Sequence, residues 1–307
     1  MHHVRALPLA IVLLAVGCST APSPTPTGGG AALAGDVATG LPTHWGGDVT
    51  VTGAWRGAAS IDGPAGDVTA RSANVTATAN GPLGWIGSLG YLFVSHERAT
   101  YDFDGPDPFD DLQRTSVIGV LFQGVHEDGW GVVLAGGLDF AAERAEDLDR
   151  GRGWVTGFGV VRAPFDGLVI VVGAVVVEPP KGEPSLIPGA QMLWTIDDEW
   201  ELRVVGPGAE LIWSFADDWR ASLVASYGGT RHRLDDDAGS GFFEDSRLDL
   251  ALELGWTPTP SLDIAARFGV ELVREITFRG RDGHRLAGGE RDVDPTPTFS
   301  LSASLTF

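Results

Sequence analysis

Apolar and polar residues alternate along much of this chain, most regularly at its C-terminal end. In residues 299–307 the apolar residues Phe, Leu and Ala take every second position, and Ser or Thr fills the others. Because the side chains of a β-strand alternate between two faces, this segment predicts a strand with one apolar and one small polar face. Residues 75–79, 130–140, 248–256 and 262–272 alternate similarly, with mostly polar or charged residues opposite the apolar ones.

The alternation is interrupted by turn-forming Gly, Pro, Asp and Asn, and it predicts about fourteen strands after residue 45. The predicted strands are residues 47–59, 67–79, 84–103, 112–125, 130–142, 153–162, 168–177, 188–195, 200–205, 209–215, 219–233, 244–256, 262–277 and 298–307. Residues 141–149 are the best helix candidate and are interpreted as the tip of a loop. The Gly-Pro-Gly segment 206–208 fits the pattern poorly. If it is not a turn, the number of strands falls to about twelve.

The connections between the strands indicate which face is buried. In a water-soluble β-sandwich the apolar face points inward, whereas in a membrane barrel it points to lipid. Short connections alternate here with mostly longer, polar ones. The short ones are residues 80–82, 126–129, 164–167, 196–199, 216–218 and 257–261, and the long ones are residues 104–111, 143–152, 178–187, 234–243 and 280–297.

Short turns at one rim and long loops at the other are typical of outer-membrane barrels. The sequence therefore predicts an all-β fold: a closed antiparallel transmembrane β-barrel of about 12–14 strands, with both termini in the periplasm. In such a barrel the last strand closes the wall by pairing with the first, residues 47–59.

Aromatic residues accompany most of the short turns. Amphipathic rings favour the boundary between membrane and water, so aromatic residues at one level predict a membrane-interface girdle. The predicted girdle comprises Trp85, Trp130, Trp200, Trp219, Trp256 and Phe307. The alternative is that these tryptophans anchor the core of a soluble sheet.

The first residues are predicted to be a targeting segment. Residues 1–18 have a short polar and basic start and an apolar stretch that ends at Gly17-Cys18. This resembles the lipobox of bacterial lipoproteins, although the expected Leu lies one position further upstream. Cys18 is the only cysteine, so acylation would explain an otherwise unpaired thiol; an ordinary signal peptide cleaved after Ala34 is the alternative. Residues 19–45 are predicted to be a Pro/Ser/Thr/Gly-rich tether, and residues 46–307 the barrel.

Composition and charge exclude several classes of protein. Mean hydropathy is +0.07 and the net charge is −20. No run of about 18 apolar residues is present, which argues against a helical membrane protein. The acidic balance argues against binding to nucleic acid, because phosphates need a basic surface. Solvated acidic loops are the preferred explanation of the charge, and a cation-favouring lumen is the alternative.

The sequence carries no motif of a known enzyme, cofactor or metal site. The histidines that follow the targeting segment, His44, His96, His126, His232 and His284, share no ligand spacing. Two catalytic pairs can be imagined, His96 with Glu97 and His232 with residues 235–237, but a surface histidine near acidic loop residues is the preferred interpretation of both. Acidic clusters in residues 104–111 and 235–237 lack the spacing of a calcium loop. We therefore expect no enzyme activity, no cofactor and no metal.

Charged residues on several predicted strands suggest what the lumen contains. Five arginines of the last third of the chain could project inward opposite four glutamates. They are Arg231, Arg233, Arg247, Arg267 and Arg274, opposite Glu244, Glu253, Glu271 and Glu275. Charge ladders of this kind usually brace a lumen and only sometimes select a solute.

A family resemblance supports the same fold. It is carried by Leu186-Ile-Pro-Gly189, Trp194-Thr-Ile-Asp197, Trp200-Glu-Leu-Arg203, Gly206-Pro207, Trp213-Ser-Phe215, Trp219 and Arg231-His-Arg233-Leu234. These residues resemble a family of bacterial outer-membrane proteins that is defined as a domain of unknown function. The resemblance extends loosely over residues 47–307 and implies a barrel without assigning a functional site. Family members usually have an ordinary signal peptide, from which Cys18 departs.

Taken together, these features predict a protein of the outer membrane of a Gram-negative bacterium, with lipid as its surroundings. Its partners would include the outer-membrane assembly machinery, through the C-terminal strand. The first functional hypothesis is a passive pore or small-solute transport protein. The alternatives are a structural or surface-display barrel with a filled lumen, and a lipid-anchored soluble β-sandwich that binds a ligand.

Overall fold

The computed structural model describes residues 45–61, 66–83, 88–105, 107–123, 130–143, 150–179, 184–235 and 241–307. The targeting segment, Cys18, nearly all of the tether, and Trp85 lie outside these residues. The described residues form β1 (Gly46–Ser60), β2 (Asp67–Pro82), β3 (Ser88–Phe103), β4 (Leu112–Gln123), β5 (Trp130–Ala142), β6 (Arg152–Phe165), β7 (Leu168–Glu178), β8 (Ser185–Thr195), β9 (Trp200–Val205), β10 (Gly208–Ala216), β11 (Trp219–Arg233), β12 (Gly241–Thr259), β13 (Leu262–Gly280), β14 (Arg285–Val293) and β15 (Thr296–Thr306). No helix long and apolar enough to span a membrane occurs among them.

The strands form a closed antiparallel barrel. Each strand from β1 to β13 pairs with the next in chain order, and β15 pairs with β13 on one side and β1 on the other. The predicted closing pair is confirmed: β1 and β15 are in register from Asp48 opposite Thr306 to Arg56 opposite Thr298. Since β14 and β15 are two parts of one wall strand, separated by residues 294–295, the barrel has fourteen wall strands.

Residues 280–297, predicted to be a long loop, contain β14, so that prediction was wrong. This strand pairs with the upper part of β13, residues 274–279, after a turn in which Gly283 has φ 82°. Its sequence, Arg-Leu-Ala-Gly-Gly-Glu-Arg-Asp-Val, does not alternate. A hairpin extension beyond the lipid needs no continuous apolar face, and the pattern that predicts membrane strands is therefore missing.

The doubtful segment 206–208 is a turn. β9 ends at Val205 and β10 begins at Gly208, and Gly206 takes the positive φ of 52° that the tight connection requires. The count therefore stays at fourteen and does not fall to twelve. Of the helix candidate, residues 141–142 belong to β5, and residues 144–149 lie outside the description.

The barrel has two different rims. The connections β6–β7, β8–β9, β10–β11 and β12–β13 are short and lie at one end, here called the turn rim. Gly47 and Phe307 lie at the same end, where each backbone N–H donates to the other residue's carbonyl, at 3.1 and 3.0 Å. The opposite end, the loop rim, carries the longer connections and the β13–β14 hairpin.

The outer face of the wall is apolar and the inner face is largely polar. On β1, Val49, Val51 and Trp55 are exposed on the outside, whereas Asp48 and Thr50 are buried inside. A water-soluble sheet has the reverse arrangement. On the outer face of β5, apolar residues run from Trp130 to Leu138. This is about 20 Å of height for a tilted strand, close to the apolar band of about 25 Å in outer-membrane barrels.

Candidate functional site: the barrel lumen and an interruption in its wall

One half of the inner wall is apolar. From the turn rim to the middle of the barrel, inward side chains of β3 to β8 form a buried apolar cluster, and nearer the loop rim Arg114 donates to Asp139 at 2.8 Å. The members of the apolar cluster are Leu89, Phe93, Ile118, Val120, Phe122, Val133, Ala135, Val155, Val161, Val169, Val171, Val175 and Leu193. The sequence signal for it is the loss of alternation in β7, which reads LVIVVGAVVVE and is apolar on both faces. An apolar half of the lumen was therefore not predicted, although this signal is present in the sequence.

The other half is held by an ion-pair cluster centred on Asp245 of β12. Both of its carboxylate oxygens accept hydrogen bonds from Arg274, from Nε at 3.0 Å and from Nη2 at 2.9 Å. The hydroxyl of Tyr101, on the opposite side of the lumen, donates to Oδ2 at 2.8 Å. Arg247 Nη1 lies 3.4 Å from the same oxygen. This bidentate, charge-assisted arrangement fixes four side chains from three strands.

Glu271 of β13 extends the cluster towards β1. Arg56 donates from Nε to its carboxylate at 2.7 Å, and Arg274 Nη1 and Arg247 Nε lie at 3.5 and 3.7 Å. Asp249 lies 3.6 Å from Arg247. Arg56, Arg247 and Arg274 therefore balance Asp245, Asp249 and Glu271. Because the three arginines, Asp245 and Glu271 are at most 8% exposed, no wide water-filled channel runs past them.

Further ion pairs follow this half of the wall towards the turn rim. Arg267 donates to Glu253 at 2.8 Å, and Arg220 donates to Asp263 at 2.8 Å. The predicted charge ladder thus faces inward at Arg247, Arg267 and Arg274, opposite acids that include Glu253 and Glu271. At the loop rim, Glu244 instead pairs with Arg231 and Arg279, at 3.3 and 2.6 Å.

The lumen is pinched at the loop rim, where the end of β11 crosses to β5. Arg233 is in register with Ala142, and the N–H of Glu143 donates to the carbonyl of Arg233 at 2.8 Å. The Glu143 carboxylate accepts the backbone N–H groups of Asp110 and Asp235, both at 2.7 Å. This contact separates the upper parts of β6, β7 and β8 from the rest of the barrel.

The pairing of the wall is interrupted beside these three strands. β9 and β10 are short, and β9 pairs with β8 only over Met192–Thr195. Among the described residues, none pairs with residues 185–191 of β8 on that side. On the other side of the hairpin, β10 reaches β11 only up to Ser226. The opening between residues 185–191 of β8 and the part of β11 beyond Ser226 is here called the notch.

The inner face at the notch borders open space. Gly189 lies opposite Gly173, and a side-chain carbon added to Gly189 would meet no atom within 4 Å. Ile187, opposite buried Val175, is on the same face and is 45% exposed. Pro188 suits this place, because proline lacks the N–H needed in a central strand and is confined to strand edges.

The notch lies in a segment that also carries a family match. Residues 160–307 match the model of a family described as a domain of unknown function, DUF6268. This part contains every segment that carries the predicted resemblance, which is thereby confirmed. The family description assigns no activity to the chain.

Solved barrel structures resemble the fold. An outer membrane channel of the COG4313 group from Pseudomonas putida F1 aligns with 87% of this chain and 97% of its own, with 9% identity and a TM-score of 0.49. A FadL homologue from Pseudomonas aeruginosa aligns over 85% and 90%, with 13% identity and a TM-score of 0.42. The translocator domain of the autotransporter NalP from Neisseria meningitidis aligns over 85% and 88%, with 10% identity and a TM-score of 0.35.

These TM-scores are below 0.5, so the likenesses carry no functional conclusion. No curated protein sequence matches the chain. These structural likenesses therefore assign the barrel no role beyond its fold.

The predicted girdle residues that fall within the description lie at the turn rim. Trp130, Trp200, Trp219 and Trp256 are each at or near the turn-rim end of a strand and are 36–47% exposed. Trp219 and Trp256 stack with ring centroids 5.8 Å apart. Exposed Trp194 and Trp213 lie at the same level, and Trp213 stacks on Trp200 at 5.8 Å. These two tryptophans were not among the predicted girdle residues.

The histidines do not form a site in the described part of the chain. His96 is on the outer face of β3, with Nδ1 2.9 Å from the hydroxyl of Thr115. His232 is buried on the inner face of β11. Within the described ranges no three His, Cys, Asp or Glu residues are placed to hold a metal ion.

Proposed function

We propose that this protein is a small-solute transport protein of the outer membrane of a Gram-negative bacterium, with both chain ends on the periplasmic side. The notch is the observation that carries the proposal. In lipid, each unpaired backbone group costs several kcal/mol unless protein, water or a solute covers it. A barrel with a purely structural role has no reason to keep an open edge over residues 185–191.

A structural or surface-display barrel with a filled lumen is the second candidate. The buried cluster around Asp245 and Glu271 favours it, because these residues fill the charged half of the lumen. The same cluster argues against a wide, water-filled porin. The transport proposal therefore concerns small solutes that avoid the cluster.

Uptake into intact cells separates the two candidates. The protein would be expressed in a Gram-negative host that lacks its general porins, and uptake of radiolabelled arabinose and of the apolar dye phenylnaphthylamine would be measured. We expect at least one of these solutes to enter faster than in cells with the empty vector. If neither enters faster although the barrel shows heat-modifiable gel mobility, the transport proposal fails and the structural role is favoured.

We propose that residues 1–18 are a lipoprotein targeting segment cleaved between Gly17 and Cys18, that Cys18 is acylated as the new first residue, and that residues 19–45 link it to the barrel at residues 46–307. The lone cysteine after a small residue supports this proposal. We expect radiolabelled palmitate to be incorporated into the wild-type protein and lost in Cys18→Ala, with the barrel still in the outer-membrane fraction. Equal labelling of both proteins, or none in either, would contradict acylation and favour an ordinary signal peptide.

We propose that Trp85, Trp130, Trp200, Trp219, Trp256 and Phe307 form the girdle at the periplasmic interface. Their amphipathic rings and the exposure of the described members support this placement. The assembly machinery of the outer membrane is proposed to recognise the C-terminal strand, which closes the wall. The proposal includes no catalytic activity, cofactor, metal or nucleic acid.

A further inference from the structure

We propose that the notch is a lateral port through which small apolar solutes pass between the apolar half of the lumen and the membrane. The port would be the route of the transport proposed above, and the inference rests on that function. It adds the class of solute and the part of the wall that the solute crosses.

The height of the notch supports a passage into lipid. The outer face of β8 is apolar from Trp194 at the turn rim to Leu186, about 20 Å higher for a tilted strand. The β9–β10 hairpin rises from Trp200 to its tip at Gly206 and Pro207, about 15 Å by the same geometry. The notch therefore begins inside the apolar band of about 25 Å and opens to hydrocarbon above the tip.

The lining of the notch indicates an apolar solute. Ile187 and Gly189 are on the inner face of β8, and Val175 and Val177 lie beside them on β7. Val175 belongs to the apolar cluster, and Val177 packs against it. A small molecule that enters along β7 and β8 thus meets mainly apolar side chains, with Gln191 as the polar inward residue below them. Desolvation of a charged or strongly polar solute on this side would be unfavourable.

The packing of the lumen explains why the route is lateral. Val161 and Val169, towards the turn rim, are fully buried, so the apolar half is filled below the notch. The charged half is filled by the cluster around Asp245 and Glu271. Among the described residues, the open space at Gly189 therefore adjoins the break in the wall.

The backbone at the tip shows that the port has a fixed lower edge. The N–H of Tyr227 on β11 donates to the carbonyl of Pro207 at 3.1 Å. This hydrogen bond ties the hairpin tip to the strand on the far side of the notch. The short β9–β10 hairpin is therefore held in place between β8 and β11 and forms the lower edge of the notch.

Two glycines offer a matched test. Gly189 faces inward at the notch and Gly136 faces outward on β5, and neither would bring an added side-chain carbon within 4 Å of another atom. We expect Gly189→Trp to reduce phenylnaphthylamine uptake at least about fivefold, because the large indole would obstruct a port of this size. Gly136→Trp should leave uptake at the wild-type rate.

A second variant tests the apolar character of the port without adding a large side chain. Ile187→Asp puts a charge on the apolar lining, so dye uptake should fall while any arabinose uptake stays unchanged. Heat-modifiable mobility and outer-membrane fractionation would show that each variant is a folded barrel. Crosslinking of an Ile187→Cys variant would report whether the edge of β8 is covered by residues 19–44 or by a second copy.

The outcomes separate this inference from the function on which it rests. If arabinose enters and the dye does not, transport stands and the apolar port is wrong. Equal dye uptake by Gly189→Trp and Gly136→Trp would also overturn the port, as would a crosslink that places the tether or a second copy at Ile187. If neither solute enters the wild-type cells faster than control cells, the transport function itself fails.

Discussion

Replacing Asp245 with alanine is expected to be among the most destabilising single changes in the barrel. Asp245 is fully buried and accepts from both Arg274 and Tyr101. Its removal leaves Arg274 and Arg247 charged in the lumen without their main acceptor. Breaking a buried ion pair from one side costs about 3–5 kcal/mol, because the remaining charge stays desolvated. Urea unfolding in detergent micelles, followed by tryptophan fluorescence, would measure the loss.

Asp102→Ala provides the control for this change. Asp102 also faces an arginine, Arg71, but at 3.9 Å and with both side chains more than half exposed. Surface pairs of this kind contribute under about 1 kcal/mol. If the two alanine variants unfold at the same urea concentration, the cluster does not brace the lumen. A double variant, Asp245→Ala with Arg274→Met, should recover part of the loss because it also removes one stranded charge.

The strands of the wall could be predicted because the same two constraints apply along every strand that crosses the membrane. Each strand that crosses lipid must show apolar groups outward at every second position and must pair its backbone with two neighbours. The predicted segment 130–142 and the observed β5 have the same bounds for this reason. β14 was missed because it pairs beyond the lipid, where neither constraint applies.

The contents of the lumen could be predicted only as a tendency. Alternation indicates that Arg247 and Arg274 face inward, but it does not identify their acceptors. Tyr101 reaches Asp245 across 144 positions of sequence. Such a contact depends on the curvature of the wall and on the side-chain directions of strands that are not neighbours. No periodicity in the sequence encodes either of them.

The predicted strand lengths already imply an interruption of the wall, but it was not recognised from them. Residues 200–205 and 209–215 are much shorter than residues 219–233. A short hairpin beside a long strand must leave part of that strand unpaired. The turn at residues 206–208 fits the predicted alternation of short turns and long loops poorly. Its position, about 15 Å above the turn rim, is where the wall is interrupted.

Leu252→Arg is the sharpest test that the outer face lies in lipid. Leu252 is 65% exposed on β12, with Leu223 and Phe268 beside it on the neighbouring strands. It lies four residues above Trp256, about 10 Å from the turn rim and so near the centre of the apolar band. An arginine at the midplane of a barrel costs about 2–4 kcal/mol. Urea titration of the protein folded into phosphatidylcholine vesicles would measure this cost.

Leu286→Arg is the matched control, because Leu286 is 52% exposed but lies on β14, in the hairpin extension at the loop rim. In water, either exposed leucine could become arginine with a change within about 0.5 kcal/mol. The loss of stability should differ between the two variants only in a membrane, since lipid surrounds Leu252 and not Leu286. A large loss for Leu252→Arg alone therefore locates the apolar face in hydrocarbon. Equal, small effects would mean that the face is wet, and the notch could then not open into a bilayer.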